Sequence, residues 1–546
     1  MVRAVVSRES ASRLDHASGA LQSVTESIGT VESLRERPPS LAIGDHNSYL
    51  PYLSGVDLLM SQHRPGEAFD YAERAKTQYL IELLRTSNAA STKGLTVTEQ
   101  VEERRLAGEV ASSELQLDRI SELRSANETR RAELRERLKQ SQIAYREFSK
   151  KLSSDHPGLK IDRGENAALT VNEMGALVGD SQTALLEYTI TERNTYLFVL
   201  TADRPEGTKT SRRKLPLSLN LKVYPLDVNG NELSTKLREF ERLLSTKSDD
   251  SQQSARDLYD MLLKPAEDQL VLKTKLVIVP DGVLWRLPFE ALQPADDHYV
   301  VDQMQVSYAQ SLSILRDLRS RRVPVNRLKA SFVGIGNPLL SNEFKARVQL
   351  GYPDTILESS AAQEDEVKRL GAVFGSSRTR LLTATEASEE RLKADVAGAN
   401  ILHISSPSLL DDTSAMSSFV GLAAAPGKQN EGFLQAREIM NLQATVDLVV
   451  LSGAQQKSGF SGAGILGMTW AWFAAGSSST MFNRWQADPV ASNQLMTDFY
   501  SRIKPGTRSP VSKAAALRQS VLSLRRNPDY QHPYYWASFA MIGDSR

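Results

Sequence analysis

LVIVPDGVLWRLPFEALQP, residues 276–294, is the most informative string in the chain. Leu276 to Val279 form a short apolar run of the kind that is buried as a strand, and Pro280 ends it. Asp281-Gly282 then supplies the residue pair of a sharp turn, after which Leu287, Phe289 and Leu292 return apolar side chains to a core. The same grammar continues on both sides. ALLEYTI (184–190) and TYLFVLT (195–201), separated by TERN, read as a hairpin. KLVIVP (275–280), KASFVGIG (329–336), ANILHIS (399–405) and VDLVVLS (446–452) are nearly continuous apolar runs, the pattern of buried parallel strands. Helical stretches lie between them, at Ala361 to Phe374 and Ser388 to Val396. The expected architecture is α/β, with a mainly parallel sheet flanked by helices over residues 158–546, divided into halves 158–340 and 341–546. The polar segments Lys209 to Arg213 and Thr246 to Ser254 are expected to be loops or linkers.

Upstream of residue 158 the signals are helical. Leu50, Leu53, Val56, Leu59 and Met60 recur at three- and four-residue steps, Arg64-Pro65-Gly66 interrupts them, and Ala68, Tyr71, Ala72, Ala75, Leu80 and Leu84 resume them. That is a helical hairpin within residues 1–95, with an earlier helix expected around Ala20 to Arg35. Residues 96–157 are charge-dense, with Leu106, Val110, Leu117, Ile120, Leu134, Leu138, Phe148 and Leu152 at helical spacing. Mixed pairs such as those in ETRRAELRERLKQ support a long solvated helix or helical hairpin. A spacer packed along its neighbours is the simpler expectation, since irregular heptads argue against a self-associating coiled coil. His156-Pro157-Gly158 marks its end.

Composition removes several function classes. The 546 residues carry 66 Lys+Arg against 66 Asp+Glu, with no long block of one sign, so nucleic acid and acidic membranes are disfavoured partners. No cysteine is present, which excludes disulfides, thiolate metal sites and a cysteine nucleophile. MVRAVVSRES lacks the apolar run of a signal peptide, and no window approaches the roughly 20 apolar residues of a membrane span, so a cytoplasmic protein is expected. No cofactor motif occurs, and no histidine pair has metal-ligand spacing.

Several strings resemble CHAT-domain proteins. Besides 276–294, followed by VVDQMQVSYAQSLSIL, they are residues 431–456, 462–485, 495–500 (LMTDFY) and 532–543 (HPYYWASFAMIG), spanning about 165–546 in the family's order. AFDYAERAKTQYLIELL, with small Ala68, Ala72 and Ala75, resembles the last tetratricopeptide (TPR) repeat before such a domain; one repeat cannot bury its own faces, since stacks usually need about three. The resemblance implies the caspase and separase fold. It also implies a chemistry in which a histidine after one strand takes the proton of a cysteine after the next. In the family the first strand reads LH, two or three small residues, then His-Gly; here Leu402-His403-Ile404-Ser405-Ser406-Pro407-Ser408 places Pro407 at the base position. The second reads LSAC, a polar residue, Thr, Gly; here Leu451-Ser452-Gly453-Ala454-Gln455-Gln456 places Ala454 at the nucleophile position.

Proline titrates nothing and alanine attacks nothing, so the chain reads as a pseudo-protease. His403, four residues or about 13 Å along the strand from Pro407 at roughly 3.3 Å per residue, is read as a core residue. With Ser452 it would form the tightest alternative dyad, one that also needs an open cleft and oxyanion donors. The runner-up is therefore a serine-based hydrolase using Ser452, Ser405 or Ser406. His16, His46, His63, His156 and His298 are expected at the surface, and His532 packed beside Tyr534, Tyr535 and Trp536. The Ser458–Gly464 loop lacks a P-loop ending and is read as a flexible loop. A remnant cleft is expected around Ser406, Gly453, Gln455 and Asp488; Asp411, Asp412 and Asp488 are read as solvated loop carboxylates. The expected role is binding a protein or peptide through that cleft and the helical region, as scaffold or regulator, in keeping with the bacterial defence settings in which TPR-CHAT proteins are met. Oligomeric state stays open.

Overall fold

The computed structural model describes residues 14–35, 38, 47–86, 91–121, 128–165, 169–203, 218–321, 331–353, 355, 357–424, 432–456, 461–486, 488–504 and 511–546. The chain folds as two compact units, 1–166 and 167–546. Lys209 to Arg213 lie outside the described residues.

The first unit is helical. Helices Leu14–Arg35, Leu50–Ser61 and Pro65–Thr86 bury Val24, Ile28, Val31, Tyr52 and Ala75 against one another. Pro65 does not break this structure; it opens the third helix, where its missing N–H has no helical acceptor to lose. Gly55 allows the close approach, because a Cβ there would lie 2.3 Å from the Tyr71 ring. The charge-dense region forms two helices, Val97–Ser121 and Glu128–Asp155, packed through Leu106, Val110 and Tyr145. Exposed pairs such as Arg130–Glu133 and Arg131–Glu128, both at 2.9 Å, decorate the second. They contribute a few tenths of a kcal/mol each at most. A short helix, Gly158–Asp162, packs Leu159 on Leu95 and Leu152 with the helical unit.

The second unit is built on a mainly parallel sheet. Its strands are β1 (Thr183–Ile190), β2 (Thr195–Asp203), β3 (Ser218–Leu226), β4 (Lys275–Val279), β5 (Gln305–Tyr308), β6 (Phe332–Pro338), β7 (Thr379–Ala384), β8 (Ile401–Ser405), β12 (Leu448–Leu451), β14 (Ser479–Asn483) and β15 (Phe539–Gly543). The order across the sheet is β3-β2-β1-β4-β5-β15-β14-β12-β8-β6-β7. β1 and β2 form the expected hairpin, and the four apolar runs become β4, β6, β8 and β12, each paired parallel with its neighbours. Helices 361–374, 489–503 and 513–524 cover one stretch of sheet with Leu370, Phe374, Phe499, Tyr500, Leu517 and Val521, meeting Phe332, Ile401, Val450 and Met481 from the strands.

A second sheet, ordered β11-β10-β9-β13, comprises β9 (Ser408–Leu410), β10 (Phe419–Gly421), β11 (Phe433–Gln435) and β13 (Ala454–Gln456). Phe344, from helix Asn342–Gly351, packs on it against Phe419 and Phe433. One expected loop is corrected. Within Thr246 to Ser254 a helix starts at Asp250, because Ser251, Ala255, Leu258 and Leu262 make a buried face at helical spacing.

Candidate functional site

β8 and β12 are adjacent and parallel, with Val450 opposite His403 and Leu451 opposite Ile404. Both chains leave the main sheet just beyond these residues and pair again as β9 and β13, where Ala454 faces Ser408 and Gln455 faces Leu409. Pro407 and Ala454, distant in sequence, thus stand within one residue of each other in register, at the junction of the two sheets. Each is buried there. The Pro407 carbonyl accepts from Gly421 N at 2.7 Å, and Gly453 O from Ser408 N at 3.3 Å. Asn483 clamps Ala454 by accepting from its N–H and donating to its carbonyl, both at 3.2 Å. Gly453 is required by this closure: a Cβ would meet the Ser406 carbonyl oxygen at 2.2 Å.

Ser406 does not line an opening. It is fully buried, and its hydroxyl donates to the Gly421 carbonyl, so strand pairing consumes it. Gln455 is half-buried on β13. Asp488 caps helix Pro489–Ile503, accepting from Val490 N and Ala491 N at 3.0 and 2.9 Å. Asp411 is not a solvated carboxylate but a buried one, holding Thr413 N, Ser414 N and the Tyr352 hydroxyl. Asp412 accepts from Ser461 N (3.1 Å), Gly462 N (3.2 Å) and Gly464 N (2.9 Å). These are the backbone donors at the start of helix Ala463–Ala475, so the chain's own carboxylate fills the position an anion would take.

A polar network lies below the junction. His403 is fully buried; its Nδ1 is 2.9 Å from the Tyr500 hydroxyl and its Nε2 is 3.0 Å from Glu366 Oε1. Ser405 donates to Glu366 Oε2 at 2.6 Å, and Ser452 Oγ lies 3.3 Å from His403 Nε2. Burial pushes the Glu366 carboxyl up. Hydrogen bonding and charge from His403, with the hydroxyls of Ser405 and Ser452, outweigh it and hold the group below the ordinary carboxylate range. Burial, and then the Glu366 charge, raise the Tyr500 phenol well above its usual value. An ionised Glu366 only accepts, so Nε2 carries a hydrogen, while Nδ1 shares the other hydrogen bond with the protonated Tyr500 hydroxyl, which can donate or accept. In that state Nε2 has no lone pair for the Ser452 proton.

Sequence reasoning had passed over Glu366, Tyr500 and Asn483. The signal for Glu366 was its position four residues before Leu370, on the apolar face of helix Ala361–Phe374. Among the other histidines, His63 and His298 are exposed, and His156 is half-buried with Nε2 at 3.0 Å from Glu99. His532 caps the turn 533–535 through Tyr534 N and meets the Ser251 hydroxyl at 3.1 Å. The side chain of His16, and the whole of His46 and of Lys457–Phe460 in and beside the glycine-rich loop, lie outside the described residues.

Residues 252–544, from the helix preceding β4 through β15, match the family described as CHAT domain. The chain belongs to the CHAT-domain family. Its curated relatives include Tetratricopeptide repeat protein 28 of Homo sapiens, 25% identical over 325 residues, covering 53% of this chain and 13% of that protein. The Mus musculus protein of the same name matches with the same identity and coverage. The CHAT chain therefore spans about one eighth of the length of these relatives. Among solved structures, a Saccharomyces cerevisiae separase–securin complex aligns at 11% identity and TM-score 0.40, covering 91% of this chain and 42% of that one. The complex of Porphyromonas gingivalis RgpB pro- and mature domains aligns at 8% identity and TM-score 0.33, covering 56% and 71%. Among the described residues of this CHAT protein, no helix is long and apolar enough to cross a membrane.

Proposed function

We propose that this chain is a CHAT-domain pseudo-protease that binds a protein or peptide partner instead of cleaving it. One observation carries the reading: the two adjacent strand ends where the family's base and nucleophile are expected hold Pro407 and Ala454, both buried in a backbone-paired junction. Neither side chain takes a proton or attacks a carbonyl, and the chain has no cysteine to supply the thiolate from elsewhere. The helical unit 1–166 and the half-buried Gln455 edge of β13 are the surfaces assigned to the partner, and scaffolding or regulation in the cytoplasm is the role.

A serine-based peptidase is the second reading, favoured by the 3.3 Å approach of Ser452 Oγ to His403 Nε2. Against it stand the complete burial of His403 and the commitment of Nε2 to Glu366. The test is cleavage of a peptide library by the purified protein, read by mass spectrometry, beside a Pro407→His, Ala454→Cys double variant. Silence from the wild type is expected. Wild-type cleavage abolished by Ser452→Ala would overturn the pseudo-protease reading in favour of the serine one.

A further inference from the structure

The turn that leads into β15 rests against two helices of the second unit, Gly230–Ser245 and Asp250–Leu262, and an imidazole sits where they meet. His532 precedes the turn Pro533–Tyr535, and its Nδ1 accepts from Tyr534 N at 3.2 Å. A backbone N–H only donates, so Nδ1 keeps its lone pair and the ring is neutral. Its one hydrogen is then on Nε2, 3.1 Å from the Ser251 hydroxyl of helix Asp250–Leu262, which accepts it. The residue thus joins two elements, and it does so only while Nδ1 is bare.

The surroundings favour that state. Burial of the ring lowers its affinity for a proton; a hydrogen bond to the Ser248 backbone and the Asp249 charge oppose the shift, Lys247 adds to it, and the net direction is below the usual histidine value. Lys247 and Asp249 come from the segment between the two helices, and the ionisable neighbours on the histidine's own turn are Tyr534 and Tyr535. Lys247 Nζ donates to the Tyr535 hydroxyl at 2.9 Å. A proton on Nδ1 would set two hydrogens against each other and add a second positive charge beside Lys247.

The turn also holds the chain that leaves β14. The Tyr534 carbonyl accepts from Trp485 Nε1 at 3.0 Å, and the Tyr534 hydroxyl donates to the Gln486 carbonyl at 3.2 Å. Asn483, which clamps Ala454, donates to the Trp485 carbonyl at 3.0 Å. One run of hydrogen bonds therefore leads from His532 to the Pro407–Ala454 junction.

We propose that His532 is a proton-operated latch: uptake of a proton from solvent at Nδ1 breaks the bond to Tyr534 N, the turn Pro533–Tyr535 opens, and Trp485 is released beside the junction. The latch is independent of the pseudo-protease reading, because it concerns the order of the backbone there and not what the junction binds or cleaves. Its sign is fixed. The closed turn is fully favoured above the ordinary histidine value of about 6.5 and loses stability as pH falls below it toward the lower value of the closed state.

The test is hydrogen–deuterium exchange of the full chain at about pH 7.5 and about pH 5, read by mass spectrometry over Tyr534 to Ala537 and corrected for the intrinsic exchange rate. The amides of these residues donate to His532 and Pro533. Their protection is expected to fall by about threefold or more on acidification of the wild type. His532→Asn keeps a side-chain acceptor at the cap and takes up no proton, so its protection is expected to be the same at both pH values. His532→Ser, which also caps, gives the reading if the Asn variant does not fold. An equal fall in the folded variant, or no fall in the wild type, would overturn the proposal.

Discussion

Glu366 holds its charge in a place where charge is expensive. Its side chain is 16% exposed, and three neighbours, His403, Ser405 and Ser452, supply the hydrogen bonds that offset burial. Removing His403 as His403→Ala strands both a carboxylate and the Tyr500 hydroxyl, and is expected to cost about 3 kcal/mol, read from urea unfolding at pH 7. The acid response has a defined sign. A carboxyl lowered in the folded state contributes stability that is fully present above its unfolded value of about 4.3, and that is lost as pH falls through its folded value. Glu366→Gln should therefore be less stable than wild type at pH 7 yet show a shallower decline below about pH 4. Identical pH profiles for the two proteins would show that Glu366 is not the group that titrates.

At the scale of elements, helix Ala463–Ala475 depends on a cap that its own sequence provides only in part. Gly462, in the left-handed region, precedes the helix and offers no side chain; the Ser461 hydroxyl accepts from Ala463 N at 3.3 Å, and Asp412, some fifty residues earlier, accepts from Gly462 N and Gly464 N. The helix buries all but one of its residues, including Trp470 and Trp472. Asp412→Ala is expected to lower stability by about 1–2 kcal/mol, with Asp412→Asn recovering part of the loss because an amide oxygen still accepts but the dipole interaction is gone. Equal loss from both variants would assign the effect to charge instead of to the hydrogen bonds. The small sheet obeys a similar logic: Gly453 exists because the Ser406 carbonyl fills the space where a Cβ would go.

For the whole molecule, one hydrophobic cluster on the main sheet runs, among the described residues, from Ala291 to Met541 and lies within the second unit. Residues 167–546 expressed alone are accordingly expected to unfold in one cooperative transition by circular dichroism, and a broad, non-cooperative melt would show that they need the helices. The same truncation bears on the proposed partner: deletion of the first unit is expected to abolish partner binding, and retained binding would move the interface to the CHAT domain.

How much of this was legible in the sequence depends on the range of the interactions involved. Strands β4, β6, β8 and β12 and helix Ala361–Phe374 could be read directly, because burial on two faces or on one stripe imposes a local period on the residues themselves. The absence of cysteine and the identities of Pro407 and Ala454 are likewise matters of sequence alone. What the sequence could not show is who completes a charge or a donor across long separations. Glu366 reaches His403 across 37 residues, Asp412 reaches Gly464 across 52, and Asp544 is shared between Arg319 and Arg546. The Thr246 to Ser254 segment is a turn only as far as Asp249; from Asp250 it is helical because the buried stripe that starts at Ser251 continues through Ala255, Leu258 and Leu262, beyond the polar segment, while the Ser251 hydroxyl meets His532, 281 residues away. Periodicity is written by the solvent boundary along each element and survives in one dimension. Polar satisfaction is a pairwise property of the folded interior, and only the tertiary structure decides it.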